Sequence, residues 1–303
     1  MSKKLSLRQR LVLGASCALL VGGGLLVSAP RAGAQTPPAG QAQPPKKKKL
    51  PPGAKGFEQY AGRDASDKLV TGGATRGELD ALSAALARGN EAYGAGQYKE
   101  AIAAFQEAIK LNPKYFKAYF SLGAAYEALG QYREAAEAYR HSTTLTPDPE
   151  KDTPDEVLIA YYNLGNAFAN AGQHQEAIDA YKQVVARAPK LSKPYYNIGL
   201  SYAQLDRQQD AISFFKQAVD LNPQFELAWY NLGVAYSKTE QYAQAVDAFK
   251  RSIDLDQNHA EARYNLGLAY YMMDDRKGLL EQQKALLTAK PELAKELAKL
   301  LTQ

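Results

Sequence analysis

Apolar and small residues recur along this chain at helical spacing, and the helices they predict come in pairs. In residues 192–223, Tyr195, Ile198, Gly199 and Tyr202 fall at i, i+3, i+4 and i+7, one face of a helix. Ala211, Phe215, Ala218 and Val219 fall at i, i+4, i+7 and i+8, one face of a second helix. Asp206-Arg207 makes the turn between the two, and Pro223 ends the second.

The pair recurs with a fixed period. Glycine stands at 89, 123, 165, 199, 233 and 267, and alanine at 101, 135, 177, 211 and 245. An aromatic follows each alanine by four, at 105, 139, 181, 215 and 249. Prolines at 113, 147, 189, 223 and 291 keep the same 34-residue register, apart from one eight-residue insertion near 150–157. A period of this size signals a stack of supersecondary units rather than a single folded core. The small residues have a steric purpose: Gly199 and Ala211 are expected where paired helices approach most closely, with Tyr202 and Phe215 filling the volume beside them. Other turns use Gly-Gln (Gly130-Gln131, Gly172-Gln173), and Asp274-Asp275 occupies the same slot in the last repeat.

This pattern resembles the tetratricopeptide repeat (TPR), whose unit runs aromatic, Leu-Gly, Tyr, Ala, Phe or Tyr, Ala and Pro across 34 residues. Tyr119, Leu122, Gly123, Tyr126, Ala135, Tyr139, Ser142 and Pro147 fit at every position. The third repeat departs only at Val184, and the fifth has Gln257 in place of proline. The outer repeats are weaker: Ala85 and Arg88 replace Tyr and Leu in the first, and Leu279 and Gln283 break the second helix of the sixth. The resemblance implies an all-α fold, a right-handed superhelical solenoid of antiparallel helix pairs. Its six repeats would lie at about 82–115, 116–149, 158–191, 192–225, 226–259 and 260–293. After Pro291, Leu293, Leu297, Leu300 and Leu301 share one helical face, which predicts a capping helix over 294–303.

The amino terminus has a different character. MSKKLSLRQR precedes an apolar run from Leu11 to Ala29, and Ala32-Gly33-Ala34 then forms a small-residue cleavage site, so residues 1–34 are expected to be a secretory signal with Gln35 as the first mature residue. The run is 19 residues, close to the roughly 20 that span a bilayer, so the alternative is an uncleaved membrane anchor over 11–29. Cys17 lacks a lipidation context, and with no second cysteine it cannot form an internal disulfide. Residues 35–77 are predicted to be a disordered tether rich in Pro, Gly and Lys, including Lys46–Lys49, with the folded domain over 78–303. Export to the periplasm or cell envelope is the expected location.

Charge narrows the partner class. The whole chain is +5, but residues 1–56 hold ten Lys and Arg and no acid, so residues 57–303 carry a net −5. A body so charged is a poor binder of nucleic acid, where phosphate neutralisation dominates affinity. Membrane contact is expected only through an uncleaved amino terminus.

Candidate chemistry is sparse. Gly72-Gly73-Ala74-Thr75-Arg76-Gly77 has the glycines of a phosphate loop but continues with Glu78 where lysine is needed. No nucleophile elbow or zinc-protease motif occurs, and the three histidines are dispersed, so no enzyme activity, metal or cofactor is expected.

Binding is left. In the TPR family the first helices of successive repeats line a concave groove that holds peptides or partner helices. The resemblance places Asn163, Asn197, Asn231 and Asn265 on that wall, each preceded by a tyrosine: Tyr162, Tyr196, Tyr230 and Tyr264. An amide both donates and accepts, so such a ladder could bond the backbone of an extended ligand whatever its sequence. Asn90, Ala124, Asn166, Leu200, Val234 and Leu268 form a second row, which with Leu227, Tyr271 and Met272 makes the C-terminal half more apolar. Tyr162, Tyr196 and Ile159 stand where the family's carboxylate clamp has basic residues, so chaperone tails are not expected as ligands. The predicted function is a non-enzymatic protein- or peptide-binding module. The alternative is a membrane-anchored scaffold that packs through its outer face or ends.

Overall fold

A computed structural model describes residues 75–145 and 154–302. The signal, nearly all of the tether with Lys46–Lys49, and the start of the 150–157 insertion lie outside the described residues. Thirteen helices and no strands are found among the described residues, in two compact units.

The first unit runs to Asn222 and holds α1 (Arg76–Gly94), α2 (Tyr98–Leu111), α3 (Phe116–Ala128), α4 (Tyr132–Thr144), α5 (Pro154–Asn170), α6 (His174–Arg187), α7 (Ser192–Gln204) and α8 (Gln208–Leu221). Consecutive helices pack against one another as antiparallel pairs joined by tight turns. α1 begins two residues before the predicted domain boundary at 78. Thr75 and Glu78 form its capping box: Thr75 N donates to Glu78 Oε2 at 2.7 Å, and Glu78 N donates to Thr75 Oγ1 at 3.4 Å. Glu78, the residue that spoils the phosphate-loop motif, is thus the acid that starts the first helix. α5 starts at Pro154, about a turn earlier than the repeat register alone requires.

The second unit begins at Pro223 and holds α9 (Glu226–Lys238), α10 (Tyr242–Leu255), α11 (Ala260–Met272), α12 (Arg276–Ala289) and α13 (Pro291–Leu301). α13 packs on α12 and α11, with Ala294 and Leu297 fully buried and Leu293, Leu300 and Leu301 partly so. That is the predicted cap, starting at Pro291.

The steric reading of the glycines holds in detail. A Cβ added at Gly199 would lie 2.6 Å from the Phe215 ring, and one at Gly89, Gly123, Gly165 or Gly233 would meet Phe105, Tyr139, Tyr181 or Phe249 at 2.4–2.8 Å. These five rings are at most 1–2% exposed. These five pairs therefore close by laying an aromatic face on bare helix backbone. The turns also share one geometry: the left-handed residue is Gly96, Gly130 or Gly172 in three repeats and Asp206, Glu240 or Asp274 in the others. The next backbone N–H returns to the carbonyl five residues earlier, as in Arg207 N to Tyr202 O at 2.9 Å, the Schellman closure of a helix end.

Candidate peptide-binding wall

Successive first helices adjoin one another within each unit, α1 with α3 and α9 with α11, and side chains on this layer are the predicted site residues. In the first unit, Asn197 of α7 donates through Nδ2 to Tyr162 Oη of α5 at 3.2 Å and to Asn166 Oδ1 at 3.4 Å. Tyr181 of α6 also donates to Asn166 Oδ1, at 2.7 Å. Burial raises the Tyr162 phenol above its ordinary pKa, while the Asn197 amide pulls the other way. Both phenols are neutral donors and acceptors at physiological pH.

The amides are therefore inter-repeat links as well as wall residues. They are not used up, however. Among the described residues the Asn197 carbonyl Oδ1 and the Asn166 amide Nδ2 have no protein partner, and both side chains are half-buried. One acceptor and one donor stand side by side, the complement of one peptide unit. Asn163 also lies half-buried on this wall and contacts the Tyr139 hydroxyl. Tyr196 is half-buried, its ring 5.8 Å from Phe215.

Tyr139 belongs to the same wall. It projects from α4 across Gly123, and its hydroxyl donates to Glu127 Oε2 of α3 at 3.0 Å. Burial raises the Glu127 pKa above the ordinary carboxylate range, partly offset by that hydrogen bond. Burial, with the Glu127 charge beside it, pushes the Tyr139 phenol well up. Sequence reasoning passed over both groups. The available signal was that two of the five packing aromatics, Tyr139 and Tyr181, are tyrosines, whose hydroxyls reach through to the wall; Phe105, Phe215 and Phe249 cannot do this.

In the second unit the repeat-to-repeat link recurs: Asn265 Nδ2 donates to Tyr230 Oη at 3.1 Å. Asn231 Nδ2 donates to Leu227 O of its own helix at 2.9 Å. Two predicted wall residues are withdrawn from a ligand's reach here. Tyr264 is 3% exposed and donates to Glu296 of α13 at 2.7 Å, and Asn265 is 6% exposed. Val234 and Leu268 are also buried, so the expected apolar C-terminal wall is consumed by internal packing; Leu227 alone of that set is broadly exposed, at 48%.

A Ser–His–Glu cluster lies nearby. Glu226 Oε1 accepts from the Ser252 hydroxyl and sits 2.6 Å from His259 Nδ1. It is not arranged for nucleophilic catalysis: serine and carboxylate meet the same ring nitrogen, and Ser252 is fully buried. Its role is to tie the start of α9 to the start of α11. Among the described residues no group of three or more His, Cys, Asp or Glu could hold a metal ion, and no helix is long and apolar enough to cross a membrane.

Models of the TPR repeat match residues 89–130, and tetratricopeptide repeat models match 116–149, 156–224 and 227–259. The chain belongs to the tetratricopeptide repeat family. No curated protein matches this TPR chain in sequence. Its fold is similar to that of YrrB, a TPR protein with an unusual peptide-binding site, at 22% identity and a TM-score of 0.54 over 65% of this chain and 99% of that one. It is similar to MamA at 25% identity and a TM-score of 0.51, covering 57% of this chain and 96% of that one. Pseudomonas aeruginosa pilF follows at 16% identity and a TM-score of 0.53, covering 74% and 99%. The TPR array makes this chain a protein–protein interaction module.

Proposed function

We propose that the chain is an exported binding module that holds an extended peptide or protein segment against the first-helix wall of residues 75–222. The observation that supports this reading is the juxtaposed Asn166 Nδ2 and Asn197 Oδ1, a donor and an acceptor that the protein itself leaves unmatched. The half-buried phenols of Tyr162 and Tyr196 supply rigid contact area beside them. YrrB, whose fold is similar, has a peptide-binding site, which makes such a use of this wall physically reasonable. Export rests on the signal-like residues 1–34 and the tether that follows.

The test uses Asn166→Asp, which replaces the free donor by an acceptor. Peptide binding, measured by fluorescence polarisation on peptides selected from a random dodecamer display, should weaken by about tenfold, while binding by the outer-helix variant Glu134→Gln is unchanged. Equal binding by Asn166→Asp and the parent chain would remove this wall from the account. Mass measurement of the protein recovered from the envelope fraction tests signal cleavage: a chain beginning at Gln35 agrees with a cleaved signal, and one retaining Met1 or Ser2 favours the uncleaved anchor over 11–29.

A further inference from the structure

Glu127 is a half-buried carboxylate without a cationic partner among the described residues, unlike Glu156 and Glu226. Glu156 faces Lys117 at 3.5 Å, and Glu226 faces His259 at 2.6 Å. The exposed Glu107 and the half-buried Asp210 likewise pair with arginines. Glu127 has one partner, the Tyr139 hydroxyl, and among the described residues no Lys, Arg or His pairs with it. Buried or half-buried charge is ordinarily matched by opposite charge, because desolvation without pairing is costly.

Among the described residues, the groups that interact with Glu127 are phenols rather than cations. The phenols of Tyr93, Tyr139 and Tyr181 lie close enough to sense its charge, which adds to burial in raising all three. They provide hydrogen-bonding oxygens and ring faces but no positive charge. An ionised carboxylate offers about four lone-pair sites, and Tyr139 fills one. Glu127 sits four residues after Gly123, one helical turn along the first-helix layer, where the corresponding residues of later repeats are Ala169, Ala203, Ser237 and Tyr271. The site is thus local to α3, on the wall proposed above to hold the ligand. The net −5 of residues 57–303 favours approach of a basic segment.

We infer that Glu127, with the Tyr139 hydroxyl holding its Oε2, is the subsite for a lysine or arginine side chain of the bound peptide. The inference rests on the groove reading and adds a specificity to it: the Asn166 and Asn197 amides bond the ligand backbone without regard to sequence, and Glu127 selects a cationic residue at one position. A ligand cation would supply the counter-charge that the fold omits, and a charge-assisted hydrogen bond is the strongest single polar contact this wall can offer.

The test is selection of random dodecapeptides by the full chain, followed by affinity measurement of a synthetic selected peptide and its lysine- or arginine-to-norleucine analogue on the parent protein, Glu127→Gln and Glu134→Gln. Enrichment of Lys or Arg at one position, with affinity reduced on the order of tenfold both by norleucine and by Glu127→Gln, is the expected result. Norleucine should make little further difference once Glu127 is glutamine. A thermal melt of Glu127→Gln no lower than that of the parent would show that the loss is not unfolding. Selected peptides without a basic preference, or equal affinity for Glu127→Gln, would overturn the cation subsite while leaving the groove standing. Failure to select any peptide would overturn the groove reading and the subsite together.

Discussion

Leu297 of the capping helix packs against Gly267, where a Cβ would come within 2.6 Å of its Cδ1. In the earlier repeats that place is taken by an aromatic ring from the repeat's own second helix, but the sixth repeat has Gln283 at the equivalent position. The cap thus completes the packing of the sixth repeat, and the weak consensus at the end of the array has a cause. Leu297→Ala is expected to cost about 2–5 kcal/mol, because it empties a fully buried site. Chemical denaturation followed by helical circular dichroism would show it as a lowered midpoint. An unchanged midpoint would mean that α13 contributes nothing to holding the last pair.

The same logic at the middle of the array predicts an overpacking defect. Gly199→Leu drives a side chain into the Phe215 ring, which already leaves only 2.6 Å for a Cβ. A loss of about 1–3 kcal/mol or more is expected, read as a lowered melting temperature. Pairing it with Phe215→Ala should recover part of the loss, since the two side chains compete for one volume.

Glu240 holds a left-handed turn at φ 62°, a conformation that glycine adopts without Cβ strain and that Gly96, Gly130 and Gly172 adopt in the equivalent turns. Glu240→Gly is therefore expected to stabilise the fold by about 0.5–1 kcal/mol despite the greater entropy of the unfolded glycine. A melting temperature below that of the parent would show that the strain at this turn is smaller than that entropy.

Glu127 predicts a pH dependence of stability. Burial raises its folded pKa above the ordinary carboxylate value of 4.5, so the folded state binds the proton more tightly than the unfolded state. Its contribution to stability is fully present below 4.5 and is lost as pH rises through the folded value. Glu127→Gln keeps an acceptor for Tyr139 and cannot ionise. Its melting temperature should equal or exceed the parent's at pH 7, with the gap closing as pH falls to 4. A gap that widens on acidification would give the shift the opposite sign.

The helix pairs, their register and the cap were legible from residue spacing, because close packing admits only glycine or alanine at the crossing and only a large flat side chain opposite. Asp206 and Asp274 were legible as turn residues but not as left-handed ones, and Glu240 was not singled out; position in the repeat imposes that conformation on all three. The wall was harder to read. Whether Asn197 faces a ligand or a neighbouring helix depends on a phenol 35 residues away, and the answer is that its two ends do different things. Tyr264 and Asn265 carry the same local sequence as Tyr230 and Asn231, yet they are buried, because a different element follows them. Glu127 was missed because consensus spacing says nothing about a slot that holds a carboxylate in one repeat and Tyr, Ala or Ser in the others.

The account stands on the first-helix layer of residues 75–222 being the ligand-bearing surface. Amide chemical-shift mapping of the full chain, titrated with a peptide selected from the random dodecamer library, tests this most directly. The largest changes are predicted on α3, α5 and α7, centred on Glu127, Asn166 and Asn197. Changes confined to α4, α6 and α8, or to the ends of the array, would contradict it.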